Sequence, residues 1–178
     1  MEAVNYMADY AKRLREMIQK GVNAADYEHP LKGFHIVVDA GNGAGGFYAS
    51  DVLAPLGADV TGSQFLEPDG MFPNHIPNPE NEEAMQSICK AVLDAKADMG
   101  VIFDTDVDRG GAVDARGEEI NRNRLVAIAS AIALRAIPAA RSDRLHHVQL
   151  RNTSKGLWAA STIALSVATK TSSTRRCV

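Results

Sequence analysis

Apolar residues recur along this chain with two different periods. A helical period, with polar residues between the apolar ones, predicts helices over Tyr6–Val22, 47–58, Glu82–Ala95 and 123–137. Short apolar runs rich in β-branched residues predict strands over 34–40, 59–66 and 97–104, followed by a hairpin over 110–120. Because strands alternate with helices, the pattern predicts an α/β layered domain, a mixed sheet flanked by helices.

Composition divides the chain near residue 136. Residues 1–135 hold 12 Lys or Arg and 21 Asp or Glu, a net charge of −9, but residues 136–178 hold 7 and 1, a net charge of +6. We therefore predict three parts: an N-terminal helix and linker over 1–32, the α/β domain over 33–135, and a basic tail over 136–178. The Ser- and Thr-rich tail lacks clear periodicity and suits either a disordered interaction segment or a frameshifted gene end.

The overall composition narrows the class of protein. With 46 % hydrophobic and 23 % charged residues and a net charge of −3, we expect a soluble globular domain that binds neither nucleic acid nor a membrane. Only two cysteines occur, Cys89 and Cys177, which favours a reducing compartment. We expect the cytoplasm, and a plastid stroma stays open as the alternative.

Three aspartates alternate with other residues directly after the apolar run VIF. Asp104, Asp106 and Asp108 lie where a buried strand leaves the sheet, the usual place for ligands in open α/β folds. Carboxylates this close repel one another unless a cation neutralises them, so we predict a metal site and favour Mg²⁺. Arg109 follows at once, and its fork of donors suits a phosphate group.

Two other loop types compete for these letters. An EF-hand requires glycine at the sixth position and glutamate at the twelfth, but Arg109 and Ala115 stand there, so calcium sensing is excluded. A haloacid-dehalogenase phosphatase is similar in its Asp-x-Asp-x-Val motif, with Asp104 as nucleophile and Asp106 as acid. That family also needs a later lysine, and no lysine follows Asp114 before the tail.

The glycine-rich turn and a loop histidine allow further interpretations. VVDAGNGAGG places Gly41, Gly43 and Gly46 in the spacing of a dinucleotide-binding fingerprint, with Glu67 near the expected acidic position. The simpler interpretation is that these glycines permit a tight strand-to-helix turn. His75 lies among prolines in PNHIPNPE, where it either faces an active-site cleft or stabilises the turn.

The stretch DTDVDR resembles the metal loop of the α-D-phosphohexomutase superfamily, the phosphoglucomutases and phosphomannomutases, whose usual form is Asp-Gly-Asp-Gly-Asp-Arg. GFHIVVDAGNGAGGFYASDVLAPLGADV, EPDGMFPNHIPNPENEEAM and GGAVDARGEEINRNRLVAI are similar to flanking parts of the second domain of that family. The resemblance covers roughly residues 33 to 135. Thr105 and Val107, in place of two glycines, look like a plant and algal subgroup, and their loss of backbone freedom affects the loop without changing the ligand positions.

The resemblance implies a function and an incomplete inventory. It implies one domain of a normally four-domain enzyme, with Mg²⁺ on Asp104, Asp106 and Asp108, Arg109 at a phosphate, and a hexose phosphate as substrate. The family's nucleophilic serine, in a Ser-His-Asn-Pro type loop, has no counterpart in this sequence. We therefore expect a fragment of a phosphohexomutase that is inactive alone and associates through exposed domain faces. The alternatives are a noncatalytic domain that binds a metal or a partner, and the dehalogenase-type phosphatase.

Overall fold

A three-stranded mixed sheet organises the part of the chain that this computed structural model describes, residues 6–136. The strands are β1 (Ile36–Asp39), β2 (Met99–Phe103) and β3 (Gly110–Asp114), in the order β1-β2-β3. Strand β1 pairs with β2 in parallel, with Val38 opposite Val101, and β2 pairs with β3 in antiparallel, with Val101 opposite Ala112. The predicted mixed sheet is confirmed.

Three regular helices accompany the sheet: α1 (Tyr6–Val22), α2 (Glu82–Ala95) and α3 (Arg122–Ala136). Asn81 caps the N-terminus of helix α2, and its side chain accepts a hydrogen bond from the Ala84 amide at 3.0 Å. Two glutamates in the first turn interact favourably with the positive end of the helix dipole. It ends at Lys96, which adopts the left-handed conformation. None of the helices in this described part is both long and apolar enough to cross a membrane.

Helices cover both faces of the sheet because side chains alternate along each strand. On one face, Ile36, Val38 and Val101 pack with residues of α1 and the irregular helical segment described below. On the other face, Val37 and Ile102 pack against the apolar side of α2. The sheet is therefore buried on both sides, and its ligand-binding groups are confined to the loops at the strand ends.

Two predicted elements differ from the structure. The segment 47–58 is helical but irregular: a 3-10 turn at Ala44–Gly46 precedes a π-helix at Tyr48–Leu53, and a second 3-10 turn at Ala54–Leu56 ends at Gly57. The strand predicted over 59–66 is wrong. Only isolated bridges form there, His35 with Asp59 and Asp39 with Gln64, because a turn at Gly62, with φ of +86°, interrupts the ladder.

The domain bounds drawn from the sequence stay a prediction. Helix α1 contributes Ala11, Leu14 and Ile18 to the same core as strand β1, so it packs as part of the α/β layers. The basic tail over 136–178 lies, from residue 137 onward, outside the described residues.

Candidate metal centre

Asp104 organises the loop that follows β2. Its side chain is buried, and its Oδ1 atom accepts hydrogen bonds from the backbone amides of Asp108 at 2.9 Å and Arg109 at 3.0 Å. The Asp104 amide in turn donates to the carbonyl of Arg109 at 3.2 Å. These bonds curl the loop around one carboxylate and return the chain directly into β3, which begins at Gly110.

The curled loop brings the three predicted carboxylates together. One oxygen from each of Asp104, Asp106 and Asp108 lies within 4.8 Å of the other two. Oxygens bound to one Mg²⁺ at about 2.0–2.1 Å are separated by at most about 4.2 Å, so the group is close to the spacing of an oxygen-ligand set. The donor chemistry fits a hard divalent cation, because all three ligands are carboxylates and two of them are exposed.

Two hydrogen bonds hold the Arg109 side chain in place. Its Nε donates to Oδ2 of Asp104 at 2.8 Å, and its Nη1 donates to Oδ1 of Asn78 at 3.2 Å. The hydrogen bond to Asp104 and the charge of that carboxylate raise the pKa of Arg109, with smaller contributions from Asp108 and Glu80. The side chain is half exposed, so a permanently charged guanidinium faces solvent beside the carboxylates.

The glycine-rich turn after β1 packs directly on the aspartate loop. The amide of Ala44 donates to the carbonyl of Thr105 at 2.9 Å. A Cβ atom at Gly43 would lie 2.8 Å from the Thr105 oxygen, and one at Gly46 would lie 1.9 Å from the Leu66 oxygen. The close approach of this chain's own backbone accounts for Gly43 and Gly46.

The structure buries His75 rather than exposing it in a cleft. Its Nε2 atom lies 3.1 Å from both carboxylate oxygens of Asp39, the last residue of β1. Neither Asp39 nor Asn78, which contacts Arg109, was predicted from the sequence to have a role. The only available signal was an aspartate at the end of a fully apolar strand, since no sequence spacing relates residues 39, 75 and 78.

The fold and this loop together define a class of protein: an α/β domain that presents a carboxylate cluster and an arginine at the end of a central strand. The sequence model of the family described as phosphoglucomutase/phosphomannomutase, alpha/beta/alpha domain II, matches residues 8–117. The chain therefore belongs to the phosphoglucomutase/phosphomannomutase family, and the matched part is the second domain. The plant and algal subgroup stays a prediction.

Several longer proteins are similar to this chain. It is 33 % identical over 137 residues to a phosphoglucomutase of Neisseria gonorrhoeae, covering 74 % of this chain and 30 % of that protein. It is 40 % identical over 105 residues to a phosphomannomutase/phosphoglucomutase of Pseudomonas syringae pv. tomato, covering 59 % and 22 %. The chain thus spans less than a third of the length of these curated relatives.

A solved structure contains a domain with a similar fold. A phosphoglucomutase/phosphomannomutase family protein from Burkholderia thailandensis superposes with a TM-score of 0.57 at 29 % identity, covering 70 % of this chain and 26 % of that one. The predicted fold class, an α/β domain with a mixed sheet flanked by helices, is confirmed, and it matches a single domain of that structure.

Proposed function

We propose that this chain supplies the Mg²⁺ site for phosphoryl transfer within a hexose phosphate, the reaction of a phosphoglucomutase or phosphomannomutase. The observation that carries this proposal is the set of three carboxylate oxygens within 4.8 Å of one another, in a domain of this family. The relatives named above bear the names of such mutases, which supports a hexose phosphate as the substrate class.

The residues of the loop divide the work. Asp104, Asp106 and Asp108 would hold the cation, which when bound neutralises negative charge on the phosphoryl group being transferred. Arg109 has five N–H donors. Two of them form the hydrogen bonds to Asp104 and Asn78, and the remaining donors can contact a phosphate or phosphoserine. Because Asp104 anchors the guanidinium, the arginine reaches the phosphate with little loss of conformational freedom.

We assign the nucleophilic serine of the family to no residue of this chain. Ser50 hydrogen-bonds the Asp51 carboxylate, and Ser87 accepts from Gln64, so both are engaged in local contacts. Proximity of nucleophile and phosphate contributes about 7–11 kcal/mol to such reactions. We therefore expect negligible mutase turnover from this chain alone.

The family match favours a metal ligand over the dehalogenase-type nucleophile at Asp104, because it identifies residues 8–117 as a phosphoglucomutase/phosphomannomutase domain. Both oxygens of Asp104 accept hydrogen bonds, and the side chain is buried. A second candidate function, association with a partner, is favoured by two apolar side chains on the loop that contains His75. Met71 is 84 % exposed and Ile76 is 62 % exposed.

Calorimetric titration of the full 178-residue chain with Mg²⁺ tests the proposal. We expect one site, and we expect Asp106→Asn to weaken binding at least about tenfold because one of three charged ligands is lost. Asp94→Asn is the matched control, since it removes the same charge from an exposed position on α2. A wild-type chain that binds no Mg²⁺, or equal weakening by both variants, would refute the proposed site.

Turnover of glucose 1-phosphate is measured on the same samples. We expect none above background in any variant. Turnover by the wild-type chain that disappears in Asp106→Asn would contradict the assignment of the nucleophile to another part of the enzyme.

A further inference from the structure

A buried hydrogen-bonded contact joins the end of β1 to the loop beside the aspartate cluster. Asp39 is fully buried and His75 is 6 % exposed. The Nε2 atom of His75 lies 3.1 Å from each oxygen of Asp39, and its Nδ1 lies 3.0 Å from the carbonyl oxygen of Ile76. Both ring nitrogens therefore lie within hydrogen-bond distance of an oxygen, Nε2 of the Asp39 carboxylate and Nδ1 of the Ile76 carbonyl.

This geometry excludes a proton-transfer role for His75 in phosphoryl transfer. Neither ring nitrogen is left over for a substrate, and the ring edge packs on Phe65 with centroids 5.4 Å apart. Asp39 is equally engaged, because its Oδ1 accepts from the Gly41 amide at 2.9 Å and its Oδ2 accepts from Gln64 Nε2 at 2.7 Å. The pair is a fixed structural link.

Asn78, three residues after His75, connects this pair to Arg109. Asn78, which follows His75 in the same loop, accepts the Nη1 hydrogen bond of Arg109 at 3.2 Å. Pro77 and Pro79, both buried, flank Asn78 and restrict its backbone. Pro77 also packs on the glycine turn, since a Cβ at Gly41 would lie 2.9 Å from the Pro77 Cβ. Fixing His75 on Asp39 therefore positions the backbone of Asn78, whose side-chain Oδ1 also accepts a hydrogen bond from the Glu80 amide at 3.0 Å.

We propose that His75 is a positioning residue for Arg109: by binding Asp39 it sets the loop so that Asn78 holds the guanidinium beside the aspartate cluster. This inference rests on the proposed function in one respect only: that function gives Arg109 a phosphate group to bind. Two anchors on different elements, Asp104 and Asn78, would keep the guanidinium in one orientation before any ligand arrives.

The experiment measures the Arg109 side chain itself, in the metal-free full chain. The Nε–H signal is recorded by NMR after ¹⁵N labelling of arginine and assigned by its loss in Arg109→Lys. We expect His75→Phe, which keeps a ring against Phe65 but gives up both hydrogen bonds, to speed exchange of this proton with water about three- to tenfold. Asn78→Ala, which leaves the buried pair intact, should speed it similarly.

Three comparisons distinguish positioning from general loosening of the fold. His35→Phe removes another histidine hydrogen bond, to the Thr61 carbonyl, and should leave the Arg109 signal unchanged. In the Asn78→Ala background, His75→Phe should not raise the exchange rate of the Arg109 Nε–H proton further, because both substitutions act through the Asn78 hydrogen bond. His75→Gln retains a donor toward Asp39, so its exchange rate should lie between those of the wild type and His75→Phe.

The outcomes are decisive for each variant. A folded His75→Phe chain with the wild-type exchange rate, or an equal increase in His35→Phe, would overturn the positioning role. If His75→Phe does not fold, His75→Gln decides, and an unchanged rate in that variant would likewise overturn it. Failure of Mg²⁺ binding would leave this result untouched, because no metal is present in the measurement.

Discussion

Asp104 and Arg109 form a hydrogen-bonded ion pair in which the carboxylate is buried and the guanidinium is half exposed, with Nε 2.8 Å from Oδ2. The same carboxylate belongs to the predicted metal cluster. The arginine therefore supplies the first positive charge that compensates the aspartate loop, and a bound cation would supply the next.

Replacing Arg109 by alanine leaves a buried carboxylate without its cation. We expect Arg109→Ala to lower the free energy of unfolding without metal, because the buried Asp104 carboxylate loses a hydrogen bond from a charged donor. Saturating Mg²⁺ should shrink this deficit, because binding to the folded state compensates the same charge. Urea unfolding with and without Mg²⁺ measures both quantities. Arg116→Ala, which breaks a pair with the more exposed Asp114, should lower the free energy of unfolding less than Arg109→Ala does.

Gly43 marks the close contact between the glycine turn and the aspartate loop. A methyl group there would lie 2.8 Å from the Thr105 carbonyl oxygen, so Gly43→Ala must displace one of the two backbones. We expect a loss of about 1–3 kcal/mol in thermal or urea unfolding, together with weaker Mg²⁺ binding. Gly70→Ala is the control, since nothing lies within 4 Å of its Cβ. Equal effects of the two substitutions would contradict the packing explanation.

Local signals allowed much of the fold to be predicted. Helix α2 was predicted at its observed bounds, Glu82–Ala95, because its apolar residues recur with a helical period. Strand β2 and the aspartates after it were predicted from a different local signal, a short apolar run that ends abruptly at charged residues. The family match covers this loop as well.

Contacts between distant segments could not be predicted in this way. The run 59–66 has strand-like composition, but the backbone turn at Gly62 leaves only isolated bridges. His75 and Asp39 are 36 residues apart, and their pairing depends on how the proline-rich loop folds over the end of β1. Propensity and periodicity describe neighbours along the chain, so such a pair becomes visible only in three dimensions.

Val107 shows the effect of replacing a glycine of the usual loop. It is β-branched yet has φ of +62°, a conformation that costs such residues about 1–2 kcal/mol. Val107→Gly removes this strain but loosens the unfolded chain and loses partial packing. We expect these terms to cancel to within about 1 kcal/mol. The same substitution at Val101, buried in β2, should cost about 3 kcal/mol or more in urea unfolding. A large loss in Val107→Gly would show that the loop is unstrained.

Asp114 gives the stability of the fold a defined pH dependence at the turn after β3. Burial alone would raise the pKa of Asp114, but hydrogen bonds from the Glu118 amide and from the amide and side chain of Arg116 outweigh it and lower the pKa. A lowered folded-state pKa stabilises the fold above the unfolded value of about 3.9, and that contribution is lost as pH falls through the folded value.

Asp114→Asn isolates this contribution, because asparagine keeps the oxygen that accepts the two backbone amides but carries no charge for Arg116. We expect the variant to be about 1 kcal/mol less stable than the wild type at pH 7. The gap should close as the pH falls below about 4 and through the lower folded-state pKa, where the wild-type carboxylate becomes protonated. Urea unfolding across this pH range measures the gap. A difference in stability that does not shrink as the pH falls below about 4 would show that the substitution acts through packing rather than through charge.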